Sequence, residues 1–154
     1  MATMGWILRS GGADGADTYF ETGCTEGEGE SEIYLPWKGY NNSTSTLYPP
    51  SQDARKIAQE IYPVWKTATE PVRLMMARNV HQVLGQSLNA PVKFLVCYTP
   101  DGCTSIDQYS RKTGGTGMAI SVASLFDVPI FNLHDRSVVP TLVDFLEQFS
   151  DNIL

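Results

Sequence analysis

The stretch VKFLVCYT, residues 92–99, decides the fold because it is an apolar run without polar alternation. Such a run is typical of a strand that is covered on both faces in a parallel sheet. Further short apolar runs stand at WILR (6–9), EIYLPW (32–37) and VPIFNL (128–133). The sequence therefore predicts four strands in a mostly parallel sheet.

Helical patterns separate these strands. The segment ADTYFETG, residues 16–23, is expected to form a helix that Gly23 closes as its C-cap. A second helix is predicted from Ser51 to near Pro63, and a third begins at Thr69, which can cap it. Two more are predicted, one after the loop RKTGGTG and one over the closing apolar pattern of Leu142, Phe145, Leu146 and Phe149.

The alternation of strands and helices indicates an α/β fold. Because the chain has 154 residues, we expect one domain over residues 1–154 with a mostly parallel sheet. Ligands of such sheets bind beyond the carboxyl ends of the strands. Two glycine-rich loops, SGGADGAD (10–17) and TGGTG (113–117), fall at such ends, and they are the first places to look for a site.

Charge and composition limit the class of partner. With 17 acidic against 11 basic residues, the formal charge is -6, so nucleic-acid binding through phosphate neutralisation is not expected. No stretch approaches the roughly 18 apolar residues of a membrane span, and we expect no membrane partner. Two histidines and three cysteines without paired spacing predict no metal and no cofactor. Reduced cysteines favour a cytoplasmic protein, in the host cytoplasm if the gene is viral.

The loop TGGTG contributes the candidate anion-binding residues. It follows Arg111 and Lys112 and opens a helix, so backbone amides, the helix dipole and two cations can converge on a phosphate. The alternative is a tight turn beside two solvated cations. The candidates in this loop are Gly114, Gly115, Thr116 and Gly117.

The loop SGGADGAD poses a conflict, because its glycines suit a phosphate whereas its carboxylates repel one. Asp14 and Asp17 are therefore expected to accept hydrogen bonds from ribose hydroxyls, with Glu21 a weaker candidate. The alternative for Asp17 is a helix-capping role, since an acid is favoured in a first helical turn. The remaining candidates here are Ser10, Gly11 and Gly12.

Four residues outside the glycine loops complete the predicted site. Arg78 and Asn79 interrupt the apolar face of LMMARNVHQVLG, and a guanidinium suits phosphate. Trp37 can stack on a base, although a partly buried core role is an equal alternative. The segment TPDG (99–102) ends a strand, and from it Thr99 or Asp101 can reach the ligand. The alternative is that this segment is a plain turn. His81 is expected to be a hydrogen-bonded structural histidine.

Four segments in this order and spacing, LRSGGADGAD, EIYLPW, ARNVHQVLG and GGTGMAI, resemble the SLOG superfamily, specifically its YspA-like members that are common in bacteriophage genomes. The superfamily also contains the DNA-processing protein DprA and the LOG phosphoribohydrolases. The resemblance covers almost the whole chain. It implies a Rossmann-like three-layer domain that binds a nucleotide or a nucleotide-derived ligand between two glycine loops.

The chain departs from that family pattern in two places. LOG-type enzymes have an arginine that matches Arg78, but they also have a catalytic glutamate where Ala119 or Ile120 stands here. Relatives begin with a further strand and helix, whereas this sequence starts at MATMG. A central strand is thus expected to be absent, in a trimmed domain or in one that a partner subunit completes. We therefore expect a homo-oligomer.

Two functional hypotheses follow. The first is a protein that binds, or sequesters, a nucleotide-derived molecule such as a signalling nucleotide or an ADP-ribose derivative, because both loops are present without the catalytic acid. The second is an N-glycosidic hydrolase that acts on a nucleoside monophosphate, with Asp14, Asp17 or Glu21 in place of the missing glutamate. A DNA-associated role by analogy with DprA is disfavoured by the acidic charge.

Overall fold

The strands of the chain form two separate parallel pairs. In the computed structural model, which describes residues 1–150, β1 (Leu8–Ser10) pairs with β2 (Ser31–Ile33) and β3 (Leu95–Cys97) pairs with β4 (Ile130–Asn132). Each predicted apolar run overlaps one of these strands. The runs at 92–99 and 128–133 contain β3 and β4, whereas β1 extends one residue past the run at 6–9 and β2 begins one residue before the run at 32–37. The expected α/β class with parallel strands is confirmed, but within the described residues the two pairs are not joined into one sheet.

Five α-helices follow the strands in the described part of the chain. The second helix begins after Ser51, as the sequence predicted, and the Ser51 hydroxyl caps it by accepting from the Ala54 amide. Thr69 stands at the N-cap position of the third helix without a side-chain cap bond. The helices are α1 (Ala16–Glu26), α2 (Gln52–Ile61), α3 (Glu70–Leu84), α4 (Thr116–Leu125) and α5 (Val138–Ser150), and short 3₁₀ turns lie at Ala2–Met4, Tyr40–Asn42, Trp65–Thr67 and Ile106–Gln108.

The predicted end of α1 is wrong. The helix continues past Gly23 to Glu26, and Gly27 is its C-cap. A Cβ at Gly23 would meet nothing within 4 Å, so this glycine lies on the solvent-facing surface of the helix. It is within the helix and does not form a turn. A glycine that can end a helix does so only where the following residues leave the helical path.

Small residues allow α2, α3 and α4 to pack closely in the main core. Ala54, Ala58 and Ala77 are completely buried, and Val80 and Met118 fill the space beside them. A separate aromatic cluster joins α5 to the strands, with Phe131 buried and Phe94 and Phe145 packed on it. The interior is therefore divided, with one cluster among the helices and another under β3 and β4.

The described residues bear on the expectations for cysteines, membrane spans and metal ligands. The three cysteines, Cys24, Cys97 and Cys103, are buried and unpaired. Within residues 1–150, no helix has the length and apolar character needed to cross a membrane. Searching the same residues for three or more His, Cys, Asp or Glu side chains that could together hold a metal ion finds none.

Candidate functional site

One large cleft separates the two strand pairs. Its volume is about 960 Å³, and residues 5–10 around β1 and 90–98 around β3 line it along both strands. At the carboxyl end of β1, the cleft is lined by residues of both glycine loops and of α3. These are Ser10, Ala13, Asp14, Asp17, Arg78, Asn79, Gly115 and Thr116.

The first glycine loop is closed by carboxylates of its own helix. Asp17 accepts from the amides of Gly11 and Ala13 at 3.2 and 3.1 Å, and Glu21 accepts from the Gly12 amide at 3.1 Å. Asp17 and Glu21 are four residues apart, so they lie on the same face of α1. The amides of residues 11–13 could bind an anion, but the carboxylates of Asp17 and Glu21 already occupy them.

That arrangement resolves the conflict in the loop's composition. Asp17 and Glu21 are engaged by the backbone, and Glu21 also accepts from the Ser10 hydroxyl. Asp14 differs from both, because it is exposed at the cleft and has no hydrogen-bond or ion-pair partner among the described residues. Of the acids in this loop, Asp14 is the one that remains open to a ligand.

Arg78 is the most unusual side chain in the cleft. The residue is only 5 % exposed, and its Nε and Nη1 atoms have no hydrogen-bond partner within residues 1–150. The Asp17 carboxylate lies 3.6 Å from Nη1, and the guanidinium carbon lies 5.9 Å from the centre of the Tyr40 ring. Burial lowers the pKa of Arg78, and the charge of Asp17 opposes that shift.

Gly11 is required by the position of Arg78. A Cβ built on Gly11 would lie 1.3 Å from Arg78 Nη1 and 2.3 Å from its guanidinium carbon. The guanidinium thus lies directly against the loop backbone, and any side chain at residue 11 displaces it. This requirement differs from the one predicted for Gly11, which was the close approach of a ligand.

The second glycine loop is open. The amides of Gly114, Gly115 and Thr116 have no hydrogen-bond partner among the described residues, and they precede or begin the ten-residue helix α4. Gly115 and Thr116 line the same cleft as Arg78. Unsatisfied amides at a helix N-terminus attract an anion, and the helix dipole adds to that attraction.

Side chains behind the second loop hold its shape. Asn79 donates to the Gly115 carbonyl at 2.8 Å. Asp101 accepts from the Thr113 hydroxyl at 2.6 Å and from the Ser110 hydroxyl at 3.1 Å, and the Thr113 bond is the main cause that lowers the Asp101 pKa to about 2. These contacts use side-chain hydroxyls and one carbonyl, which leaves the loop amides free.

Several predicted residues lie outside the lining of the cleft. Thr99 is completely buried and bonded to Asn132 and Cys103, so it supports the β3–β4 pair. Trp37 is partly exposed and packs edge to face on Tyr40. Gly12, Gly114 and Gly117 flank the lining without belonging to it, and Arg111 and Lys112 are exposed outside it.

His81 is a structural histidine, as expected. Its Nε2 accepts from the Ser51 amide at 3.0 Å, and its Nδ1 lies 3.0 Å from the Gly85 carbonyl, to which it donates in the matching tautomer. Glu21, a weaker ligand candidate from the sequence, instead accepts from the Gly12 amide, and Tyr40 beside Arg78 was not among the predicted site residues. The i, i+4 spacing of Asp17 and Glu21 could have identified their shared face.

Comparisons of the chain with protein-family models, with curated proteins and with solved structures found no match.

Proposed function

We propose that the protein binds, and by binding sequesters, a nucleotide-derived small molecule at the carboxyl end of the cleft. The observation that carries the proposal is Arg78, a buried guanidinium whose Nε and Nη1 atoms have no hydrogen-bond partner within residues 1–150. It lines a cleft that the α4 N-terminus also lines. A buried donor without a partner costs about 1–3 kcal/mol, and more when it is charged. A ligand anion removes that cost.

The phosphate is assigned to the second glycine loop. The amides of Gly115 and Thr116 supply donors, and Arg78 supplies a planar charged fork that suits phosphate. The first loop is not assigned to phosphate, since Asp17 and Glu21 occupy its amides. This division favours one phosphate group, or one end of a diphosphate, at this place.

The sugar is assigned to Asp14. Its carboxylate is exposed at the cleft and unpartnered within residues 1–150, so it can accept from two ribose hydroxyls. The cleft volume of about 960 Å³ is at the upper end of the roughly 300–1,000 Å³ usual for small-molecule sites. The site proposed for the nucleotide takes up only the carboxyl end of this cleft, where Asp14 and Arg78 line it together.

The resemblance to the SLOG superfamily supports the same ligand class. From the same resemblance we infer that the two strand pairs belong to one Rossmann-like three-layer domain. In a domain of that kind, a nucleotide lies beyond the carboxyl ends of the strands, where Ser10, Arg78 and Gly115 line the cleft.

Ala119 favours binding over N-glycosidic hydrolysis. The resemblance puts Ala119 or Ile120 where LOG-type enzymes have their catalytic glutamate. Ala119 lines the cleft with a methyl group, and Ile120 is completely buried. Asp17 and Glu21 are bound to loop amides, which leaves Asp14 as the acid that would have to replace the glutamate. Base release that is abolished by Asp14→Ala would establish the hydrolase instead.

The test is the thermal stability of the purified protein with nucleoside monophosphates, cyclic dinucleotides and ADP-ribose. A ligand at about 100 times its Kd adds roughly 2.7 kcal/mol to the free energy of unfolding. Arg78→Gln should lose that ligand stabilisation. Arg73→Gln is the matched control, because Arg73 lies on the same helix with its guanidinium bonded to the carbonyls of Trp65 and Lys66.

The proposal is supported if one ligand stabilises both wild type and Arg73→Gln. The same ligand should bind Arg78→Gln at least tenfold more weakly. No stabilisation by any member of the panel contradicts it. Equal binding by wild type and Arg78→Gln also contradicts it, because the ligand would then lie away from the guanidinium.

A further inference from the structure

We propose that the middle of the cleft, between β1 and β3, receives an extended segment of another polypeptide as an additional parallel strand. This inference goes beyond the nucleotide site and does not depend on it. The segment is apolar, about five residues long, and preceded by acidic residues.

The hydrogen-bonding pattern of β1 leaves one of its edges without a partner. Leu8 donates to the Glu30 carbonyl and the Ser10 carbonyl accepts from Tyr34, both at 2.9 Å, so these residues face β2. Backbone groups alternate between the two edges of a strand, and those of Arg9 therefore project from the opposite edge. In residues 1–150 the Arg9 backbone groups have no partner, and Arg9 lines the cleft.

β3 repeats this pattern on the other side of the cleft. Leu95 donates to the Pro129 carbonyl and the Cys97 carbonyl accepts from Leu133, both at 2.8 Å. The backbone groups of Val96 therefore project away from β4. Val96 also lines the cleft, and its N–H and C=O have no partner in the described chain.

Both strands begin at the same end of the cleft. Trp6 precedes β1 and Phe94 precedes β3, and their rings meet edge to face with centroids 5.1 Å apart. A segment between the two strands can therefore run parallel to both of them. Free strand edges are templates for such pairing, and two of them border this one space.

The surroundings of the cleft define the chemistry of the inserted segment. Apolar side chains from three helices line it, namely Phe20 of α1, Met75 and Met76 of α3, and Ala119 of α4. A parallel strand enclosed by helices is a continuous apolar run, usually rich in valine and isoleucine. The segment is thus apolar at successive positions.

The positive charge of Lys93 at the entrance of the cleft indicates which residues precede the inserted segment. Lys93 is exposed, lines the cleft just before β3, and has no ion-pair partner in the described chain. A strand parallel to β3 begins beside Lys93, so acidic residues before it complement this charge. A second copy of the chain is a poorer occupant, because its four strands in the described part are already paired.

The test uses the full chain and the fluorescent peptide Glu-Glu-Val-Ile-Val-Val-Ser. Fluorescence anisotropy should show saturable binding, and the same peptide with proline as its fifth residue should bind at least tenfold more weakly. Amide hydrogen exchange read by NMR should slow at Arg9 and Val96 when the peptide binds. It should change little at Leu8 and Leu95, which are already bonded.

Charge reversal gives a second readout. Lys93→Glu should weaken binding of the acidic peptide by about two- to five-fold, the range expected of an exposed ion pair, and should favour a Lys-Lys-flanked peptide. Arg78→Gln should bind the peptide normally while losing the nucleotide. Failure of the nucleotide proposal and failure of this one are therefore distinguishable.

Two results would overturn the proposal. The first is unchanged exchange at Arg9 and Val96 in the presence of saturating peptide. The second is a stable dimer by sedimentation in which these two amides are protected without peptide, because a second copy would then fill the cleft.

Discussion

The two glycine-rich loops have similar compositions but opposite relations to their own chain. In the first loop, Asp17 and Glu21 accept from three consecutive amides. In the second, Asp101 binds the hydroxyls of Ser110 and Thr113, and the amides before α4 stay open. Both loops are held by carboxylates. The group that each carboxylate binds decides whether the loop can still receive a ligand anion.

Arg78 contacts the first loop and lines the cleft together with the second. Its guanidinium lies against Gly11 of the first loop, beside Asp17, and it lines the cleft together with Gly115 of the second. The charge of Asp17 offsets part of the cost of burying this cation. The closed loop thus holds Arg78 in place, and the second loop lines the same cleft as Arg78.

The largest effect is expected for Asp17→Ala. The change removes the acceptor of two loop amides and the carboxylate nearest to a buried arginine, and should lower the free energy of unfolding by about 3 kcal/mol. Urea unfolding measures it. Asp14→Ala is the control in the same loop, and it should stay within about 0.5 kcal/mol of wild type because Asp14 has no partner in the described chain.

Equal losses for Asp17→Ala and Asp14→Ala would contradict the distinction between a bound and an open carboxylate. Phosphate binding gives a second test of the distinction between the bound and the open carboxylate. When Asp17 and Glu21 are both replaced by alanine, the first loop becomes an empty anion site, so inorganic phosphate should stabilise this double variant more than it stabilises wild type.

A smaller effect is expected for Gly11→Ala. The new methyl group would coincide with the guanidinium of Arg78, which must move away from the loop. We expect a loss of about 1–3 kcal/mol in unfolding free energy, the usual range for overpacking. Gly23→Ala in α1 should have the opposite sign, a gain of about 0.5–1 kcal/mol, because its Cβ meets nothing and alanine favours a helix.

Thermal or urea unfolding of the two variants gives the comparison. A neutral Gly11→Ala would mean that Arg78 does not lie against the loop backbone in solution. Crystals of that variant would then be expected to show Arg78 turned into the cleft.

Local sequence patterns were sufficient for the elements but not for their assembly. The helical spacing from Ser51 and the cap position at Thr69 gave the starts of α2 and α3, because both signals act within one helical turn. The end of α1 was missed at Gly23, since glycine permits a turn without requiring one. The separation of the strands into two pairs depends on contacts between distant segments, which no local pattern reports.

The candidate site shows the same limit. Residue type and position at the end of a strand selected Ser10, Asp14 and Gly115, and the interruption of an apolar helix face selected Arg78. The structure brings these four residues to one cleft. Thr99 and Trp37 met the same criteria and do not line it. The direction of a side chain depends on what packs behind it, and for Thr99 that is the amide of Asn132 on the neighbouring strand.

The smallest effect is a pH dependence from Asp101 behind the second loop. Hydrogen bonding, chiefly from Thr113, lowers its pKa to about 2, below the value of about 3.9 for an unfolded aspartate. A depressed pKa contributes stability that is complete above the unfolded value and is lost as pH falls from about 4 to about 2. Unfolding midpoints measured over that interval should fall more steeply for wild type than for Asp101→Asn. Parallel curves would show that the Asp101 carboxylate does not stabilise the folded chain, and only the first loop would then be held by carboxylates.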